Sequence, residues 1–173
     1  MTLMVLSVVG SDRPGLTQAL AAAIVSAGGN WLESHLSRLG GLYVGSVLVE
    51  LAPDGGPRLE AAVRTVDDHG LEVRLAPASK DVAAAAGETL HFSVVGQDRP
   101  GIVNQVTAVL TGLEANIEAF KSWIDAEAYS GVPLFHMETR VRLPPNVSAG
   151  KVQDALEDIS AEIMVDIALA PAG

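Results

Sequence analysis

The chain has 173 residues, of which 49% are hydrophobic and 18% are charged, and its net charge is −10. This composition excludes a disordered chain, and the excess of acidic groups opposes binding to a phosphate backbone, so no direct nucleic-acid partner is expected. Cysteine is absent, which excludes disulfides and thiolate chemistry and suits a reducing compartment.

The first predicted element is a strand over Leu3–Val9, a nearly continuous apolar run. The opening run Met1–Val9 lacks a basic flank, a cleavage signal and the length of a membrane span, so we interpret it as part of the fold and expect a cytoplasmic protein without membrane partners. A helix is predicted next over Pro14–Ala27, because its apolar positions recur at helical spacing and Gly28 and Gly29 follow.

Alternating valine and leucine residues, glycine pairs and prolines predict the other elements of the first half. These are a strand over Asn30–Leu39, a hairpin turn at Gly40 and Gly41, a strand over Leu42–Leu51, a helix from Pro57 to Gly70 and a strand over Leu71–Leu75.

The second half of the chain has the same predicted order, βαββαβ. Its elements are a strand over Thr89–Val95, a helix over Pro100–Leu113, strands over Asn116–Ile124 and Leu134–Leu143, a helix with Ser148 as its N-cap and a strand over Met164–Leu169. The segment Ile124–Pro133 is longer than its counterpart and predicts a longer loop.

A repeated segment organises the chain: Ser7–Gly15 returns as Ser93–Gly101 and differs only at Ser11 and Gln97. The repeat predicts two α+β domains, 1–77 and 88–173, joined by a linker at 78–87. The βαββαβ order fits the ferredoxin-like plan, in which a four-stranded antiparallel sheet carries both helices on one face and the first and third strands are central.

The motif Gly-x-Asp-Arg-Pro-Gly between a strand and a helix, with Asn30 or Asn116 at the start of the next strand, resembles the ACT domain. The tandem copies resemble the glycine cleavage system transcriptional repressor group. The resemblance implies a homodimeric sensor that holds an amino acid, with glycine or serine as plausible ligands, at the seam between paired domains. The serine-sensing members share Asn30, Pro14 and Gly15, but they carry other residues at the positions of Gly10 and Asp12.

The residues of the motif also suggest this chemistry by themselves. Glycine allows sharp turns and close approach, and unpaired N–H groups at a helix start suit a carboxylate. Aspartate accepts a hydrogen bond from an ammonium group, and asparagine both donates and accepts. The predicted ligand-binding residues are Gly10, Asp12, Arg13, Gly15, Leu16 and Asn30, with the copies Gly96, Asp98, Arg99, Gly101, Ile102 and Asn116.

A simpler interpretation of the motif is structural: Asp12 and Asp98 would cap their helices, and the Pro-Gly pairs would form turns. No catalytic residue, metal site or cofactor is predicted, because no nucleophile–base pair is visible and the four histidines have no ligand spacing with carboxylates. These histidines are His35, His69, His91 and His136.

Three functions remain open at the level of the sequence. The first is a non-enzymatic amino-acid sensor that acts on a protein partner such as a transcription factor. The second is a detached regulatory subunit of a biosynthetic enzyme, and the third is an interaction module that no longer binds a ligand. We also expect the two halves to pack side by side, because their valine-rich strands have edges that need cover.

Overall fold

The computed structural model describes residues 1–67, 70–79, 87–126 and 131–171. The chain divides into two compact units, 1–82 and 83–173, which we call the first and the second unit. His69, residues 80–86 of the predicted linker and residues 127–130 of the predicted long loop lie outside the described residues. The boundaries 1–77, 78–87 and 88–173 stay predictions.

The first unit has the predicted βαββαβ order. Its elements are β1 (Thr2–Ser11), α1 (Leu16–Ser26), β2 (Asn30–Leu39), β3 (Leu42–Leu51), α2 (Gly55–Asp67) and β4 (Leu71–Ala78). The four strands form an antiparallel sheet in the order β2-β3-β1-β4, so β1 and β3 are central as predicted.

The second unit repeats this order. Its elements are β5 (Thr89–Gln97), α3 (Ile102–Gly112), β6 (Asn116–Ala126), β7 (Pro133–Arg142), α4 (Ala149–Ile163) and β8 (Val165–Pro171). The strands form a second antiparallel sheet in the order β6-β7-β5-β8. The predicted fold class, two ferredoxin-like domains, is confirmed.

Local residue choices explain two of the boundaries. Gly40 and Gly41 have φ angles of 58° and 82°, the left-handed values that a tight hairpin turn between β2 and β3 requires. Ser148 precedes α4, and its side chain accepts a hydrogen bond from the backbone N–H of Lys151. The predicted N-cap is therefore confirmed.

Each unit has its own core between one face of the sheet and the two helices. In the first unit, Leu6 and Val8 of β1 pack with Leu20 and Ile24 of α1, and all four side chains are buried. Because side chains alternate along a strand, Ser7 and Val9 face away from this core and are exposed. The helices therefore cover one face of each sheet, and the loops between strand and helix lie at its rim.

Within the ranges that the structure describes, no helix combines the length and the apolar character that crossing a membrane would need.

Candidate ligand site

The repeated motif forms the loop between the first strand and the first helix of each unit. Gly15 and Gly101 are the N-cap residues of α1 and α3, with φ angles of 94° and 100°. A left-handed backbone of this kind disfavours any residue with a Cβ. No atom lies within 4 Å of where a Cβ on either glycine would stand, so both loops are open to solvent at the helix start.

The open helix start presents backbone donors. The first helical hydrogen bonds run from Ala19 N–H to the Gly15 carbonyl, 2.9 Å, and from Gln105 N–H to the Gly101 carbonyl, 3.0 Å. The N–H groups of the first turn therefore have no carbonyl within the helix to bond. These donors follow the glycine in each unit, so they lie after the helix starts predicted at Pro14 and Pro100.

The aspartates of the motif do not cap the helices. Among the described residues, no side chain accepts a hydrogen bond from the N-terminal turn of α1 or α3, and their N-cap residues are glycines, so the capping interpretation of Asp12 and Asp98 is wrong. In place of such a bond, the Asp12 carboxylate lies 2.9 Å from Arg38 Nε at the end of β2. The backbone N–H of Asp98 donates to the carbonyl of Pro133, 3.0 Å away.

At Gly10 and Gly96, the space that a side chain would need is occupied by another part of the same unit. A Cβ on Gly10 would clash with the carbonyl of Gly70 and would lie 2.9 Å from Leu71 Cα, where β4 begins. A Cβ on Gly96 would stand 2.6 Å from the Met164 carbonyl oxygen, before β8. The close approach inferred from the sequence is real, and the approaching group is the fourth strand of the same unit.

The arginines of the motif point toward the second helix of their unit. Arg99 Nη2 donates to the backbone carbonyl of Glu162 in the last turn of α4. A Cβ on Gly70, which follows α2, would lie 3.5 Å from Arg13 Nη2. A cation at the C-terminal end of a helix is stabilised by the helix dipole, so Arg99 stabilises the end of α4, and Arg13 lies near Gly70 in the first unit.

The two asparagines lie far from the loop of their own unit. Arg38 pairs with Tyr43 and Tyr43 with Gly10, whereas Asn30 pairs with Glu50 at the opposite end of β2. At about 3.3 Å per residue, the separation along the strand is roughly 25 Å. Asn116, paired with Arg142, has the same position in the second unit, so neither asparagine can contact a ligand at its own unit's loop.

A surface depression adjoins each motif loop. In the first unit it has a volume of about 340 Å³ and is lined by the loop and the first turn of α1, through Arg13, Pro14, Gly15, Leu16 and Ala19. In the second unit the depression has a volume of about 510 Å³ and extends to the ends of β6 and β7. There it is lined by Asp98, Arg99, Gly101, Ile102, Val103, Asn104 and Thr107, with Ile124 of β6 and Phe135 of β7.

Residues of β2 and β3, and of β6 and β7, therefore belong to the surroundings of the loop, and none of them was predicted from the sequence as a site residue. The signal was present in the chain, because Arg38 and Tyr43 flank the Gly40-Gly41 turn and antiparallel pairing brings that end of the hairpin to the end of β1. No set of three or more His, Asp or Glu side chains within the described ranges is placed to hold a metal ion.

Comparison with known proteins identifies the family. The family model for the ACT domain matches residues 2–76. A UPF0237 protein of Methanopyrus kandleri is 32% identical over 75 residues, which are 43% of this chain and 78% of that protein. The chain belongs to the ACT-domain family. The predicted resemblance of the motif to the ACT domain is therefore confirmed.

Two solved structures match this ACT protein over nearly its whole length. An unknown protein from Galdieria sulphuraria superimposes with a TM-score of 0.87 at 31% identity, with 99% of each chain covered. A candidate glycine cleavage system transcriptional repressor superimposes with a TM-score of 0.69 at 18% identity, covering 98% of this chain and 96% of that one. The second match establishes that the tandem ACT fold is shared.

Proposed function

We propose that this ACT protein is a non-catalytic sensor that binds an amino acid at a motif loop and transmits its presence to a protein partner. The observation that carries the proposal is the loop itself. In each unit an aspartate stands beside a helix start that is open to solvent and whose backbone N–H groups lack helical partners. The two groups are complementary to the ammonium and the carboxylate of an amino acid.

The helix start suits the carboxylate of such a ligand for two reasons. Its N–H groups are donors, and the helix dipole places partial positive charge at the same point. The aspartate carboxylate offers an acceptor for an ammonium group, and hydrogen bonds between charged groups are stronger than neutral ones. Both features are complementary to the charged ends of a ligand, so the arrangement favours binding over catalysis.

The nature of the partner is proposed on the fold shared with the candidate glycine cleavage system transcriptional repressor. We infer that the partner is a transcription regulator, contacted through a protein–protein interface. The net charge of −10 supports an indirect effect on transcription, since an acidic surface is repelled by DNA.

A thermal-shift screen of the proteinogenic amino acids at millimolar concentration tests the sensing step. A ligand that binds only the folded protein stabilises it by RT ln(1 + [L]/Kd), about 2.7 kcal/mol at a hundredfold excess over Kd. We expect at least one amino acid to raise the unfolding midpoint, and the double variant Asp12→Asn, Asp98→Asn to lose most of that rise. If every amino acid leaves the midpoint unchanged, the chain is not an amino-acid sensor.

Co-purification tests the partner. The tagged full chain is expected to retain a DNA-binding regulator, in an amount that changes when the amino acid found in the thermal screen is added. Recovery of a metabolic enzyme instead would contradict the proposed partner and favour a detached regulatory subunit.

A further inference from the structure

The surroundings of the two motif loops differ in chemistry although their backbones correspond. In the first unit, Arg38 Nε lies 2.9 Å from Asp12 Oδ2, and the hydroxyls of Thr17 and Tyr43 are 2.7 Å apart. These contacts connect the loop and α1 to the ends of β2 and β3. The Arg38 guanidinium therefore pairs with the aspartate, and a second polar pair lies beside the first turn of α1.

The strand registers identify the corresponding positions in the second unit. Arg38 pairs with Tyr43 in the first sheet, and Ile124 pairs with Phe135 in the second. Thr17 is the second residue of α1, and Val103 is the second residue of α3. Each polar group around the first loop is thus replaced by an apolar one around the second.

Because of this replacement, Asp98 and an apolar surface beside it are available to a ligand. Among the described residues, Asp98 has no ion-pair partner, whereas Asp12 has one. Ile124 and Val103 are 57% and 39% exposed. A bound group that removed these apolar side chains from water would lower the free energy. Together with Phe135 they line the depression of about 510 Å³ beside Asp98, which lies within the usual size range of small-molecule sites.

We propose that the second unit holds the sensing site and that this site selects an amino acid with an apolar side chain. This inference rests on the proposed function and adds the unit and the ligand class to it. The ammonium group binds the Asp98 carboxylate, the carboxylate accepts hydrogen bonds from the first turn of α3, and the side chain covers Ile124 and Phe135.

The first unit does not bind the same ligand because its site is already occupied by the protein. An ammonium group there would have to displace the Arg38 guanidinium from Asp12, and an apolar side chain would meet the Thr17–Tyr43 pair. Glycine and serine have no apolar side chain to place against Ile124, so they gain less than valine, leucine or isoleucine from the second site.

Isothermal titration calorimetry on the full chain tests this inference with valine, leucine, isoleucine, glycine and serine as the titrants. We expect one site per chain, with at least one of the three branched residues bound tenfold or more tightly than glycine and serine. Ile124→Arg should weaken that binding at least tenfold, because the new guanidinium would pair with Asp98 as Arg38 does with Asp12. Arg38→Ile is the matched variant of the first unit; it frees Asp12 but keeps the Thr17–Tyr43 pair, so it should leave the affinity of the second unit's site unchanged.

Ile124→Ser is the second variant, because it removes the apolar contact without adding a charge, and it should also weaken binding. Circular dichroism of each variant establishes that the fold is retained. Two sites per chain, preferential binding of glycine or serine, or unchanged affinity in both Ile124 variants would overturn this inference while leaving amino-acid sensing intact. The absence of binding by any amino acid would overturn the proposed function as well.

Discussion

The start of β8 packs so closely against Gly96 that no side chain fits at this position. An added Cβ would lie 2.6 Å from both the Met164 carbonyl oxygen and Val165 Cγ1, so the start of β8 would have to move. We expect Gly96→Ala to lower the free energy of unfolding by about 3 kcal/mol, the upper part of the range for overpacking. The midpoint of urea unfolding measures this change.

Gly112, in the last turn of α3, is the matched control in the same unit. A Cβ there meets no atom within 4 Å, and alanine is favoured over glycine in a helix by about 0.5–1 kcal/mol. Gly112→Ala should therefore leave the midpoint unchanged or raise it. Equal midpoints for the two variants would show that the packing around Gly96 is not as tight as the structure has it.

At the scale of single residues, sequence identified important positions but not always their contacts. The repeat made Gly10 and Asp12 conspicuous, yet their neighbours, Leu71 and Arg38, come from distant parts of the chain. Such contacts follow from strand pairing, which a motif read along the chain does not contain. Asn30 illustrates the same limit, because the register of β2 places it far from the loop.

Glu118 gives the second unit a pH-dependent contact. A hydrogen bond from Arg142, 2.6 Å from Nε to the Glu118 carboxylate, and the charges of Arg142, Arg140 and His91 lower the pKa of Glu118, against a smaller opposing effect of burial. A carboxyl group with a lowered pKa in the folded state stabilises the fold at pH values above its ordinary pKa of 4.5. This stability is lost as the pH falls through the folded-state pKa.

We therefore expect Glu118→Gln to lower the urea midpoint at neutral pH. The difference between its midpoint and that of the parent protein should shrink as the pH falls below 4.5. Asp158→Asn, on the exposed surface of α4, separates the effect of one lost negative charge from that of the ion pair. A difference between Glu118→Gln and the parent that stays constant from pH 7 to pH 3 would contradict the assigned role of Glu118.

Among the helices, α4 differs from α1 and α3 in how its N-terminus is satisfied. Ser148 accepts a hydrogen bond from Lys151 N–H, whereas α1 and α3 start at glycines and have no side-chain cap among the described residues. Of these three helices, the two that start without a side-chain cap are those of the motif loops, as the proposed ligand site requires. At α4 the Ser148 side chain satisfies a backbone donor and stabilises the helix start.

Removing that cap should destabilise the second unit. We expect Ser148→Ala to lower the free energy of unfolding by about 1 kcal/mol, which thermal unfolding followed by circular dichroism would detect. Ser148→Asp keeps the acceptor and adds a negative charge at the positive end of the helix dipole, so it should retain the parent's stability. A loss of stability in Ser148→Asp as large as in Ser148→Ala would argue against capping.

The strands were easier to predict than the helix starts. The bounds of β2 and β3 agree with the sequence prediction, because Gly40 and Gly41 separate two runs of strand-forming residues. Both α1 and α3 begin two residues later than predicted, at Leu16 and Ile102. Proline suits the first turn of a helix, but the following glycine adopts the left-handed conformation, and the helix begins only after it.

Considered as a whole, the molecule has few cations available to an anionic partner. It carries 11 lysine and arginine residues, and at least six of these arginines form ion pairs with carboxylates of the chain. The six are Arg38, Arg58, Arg64, Arg74, Arg140 and Arg142. Exposed pairs of this kind add little stability, but they neutralise the charge that a phosphate would otherwise contact.

We therefore expect the purified chain not to bind duplex DNA by itself. Affinity for DNA depends on cations that contact phosphates and displace condensed counterions, and a net charge of −10 opposes the approach of the duplex at every distance within the screening length. Fluorescence anisotropy of a labelled promoter fragment, measured at low and at physiological salt, should rise only when the protein partner is added. Submicromolar binding by the chain alone, weakening steeply as salt increases, would contradict this expectation and would replace indirect regulation with direct contact.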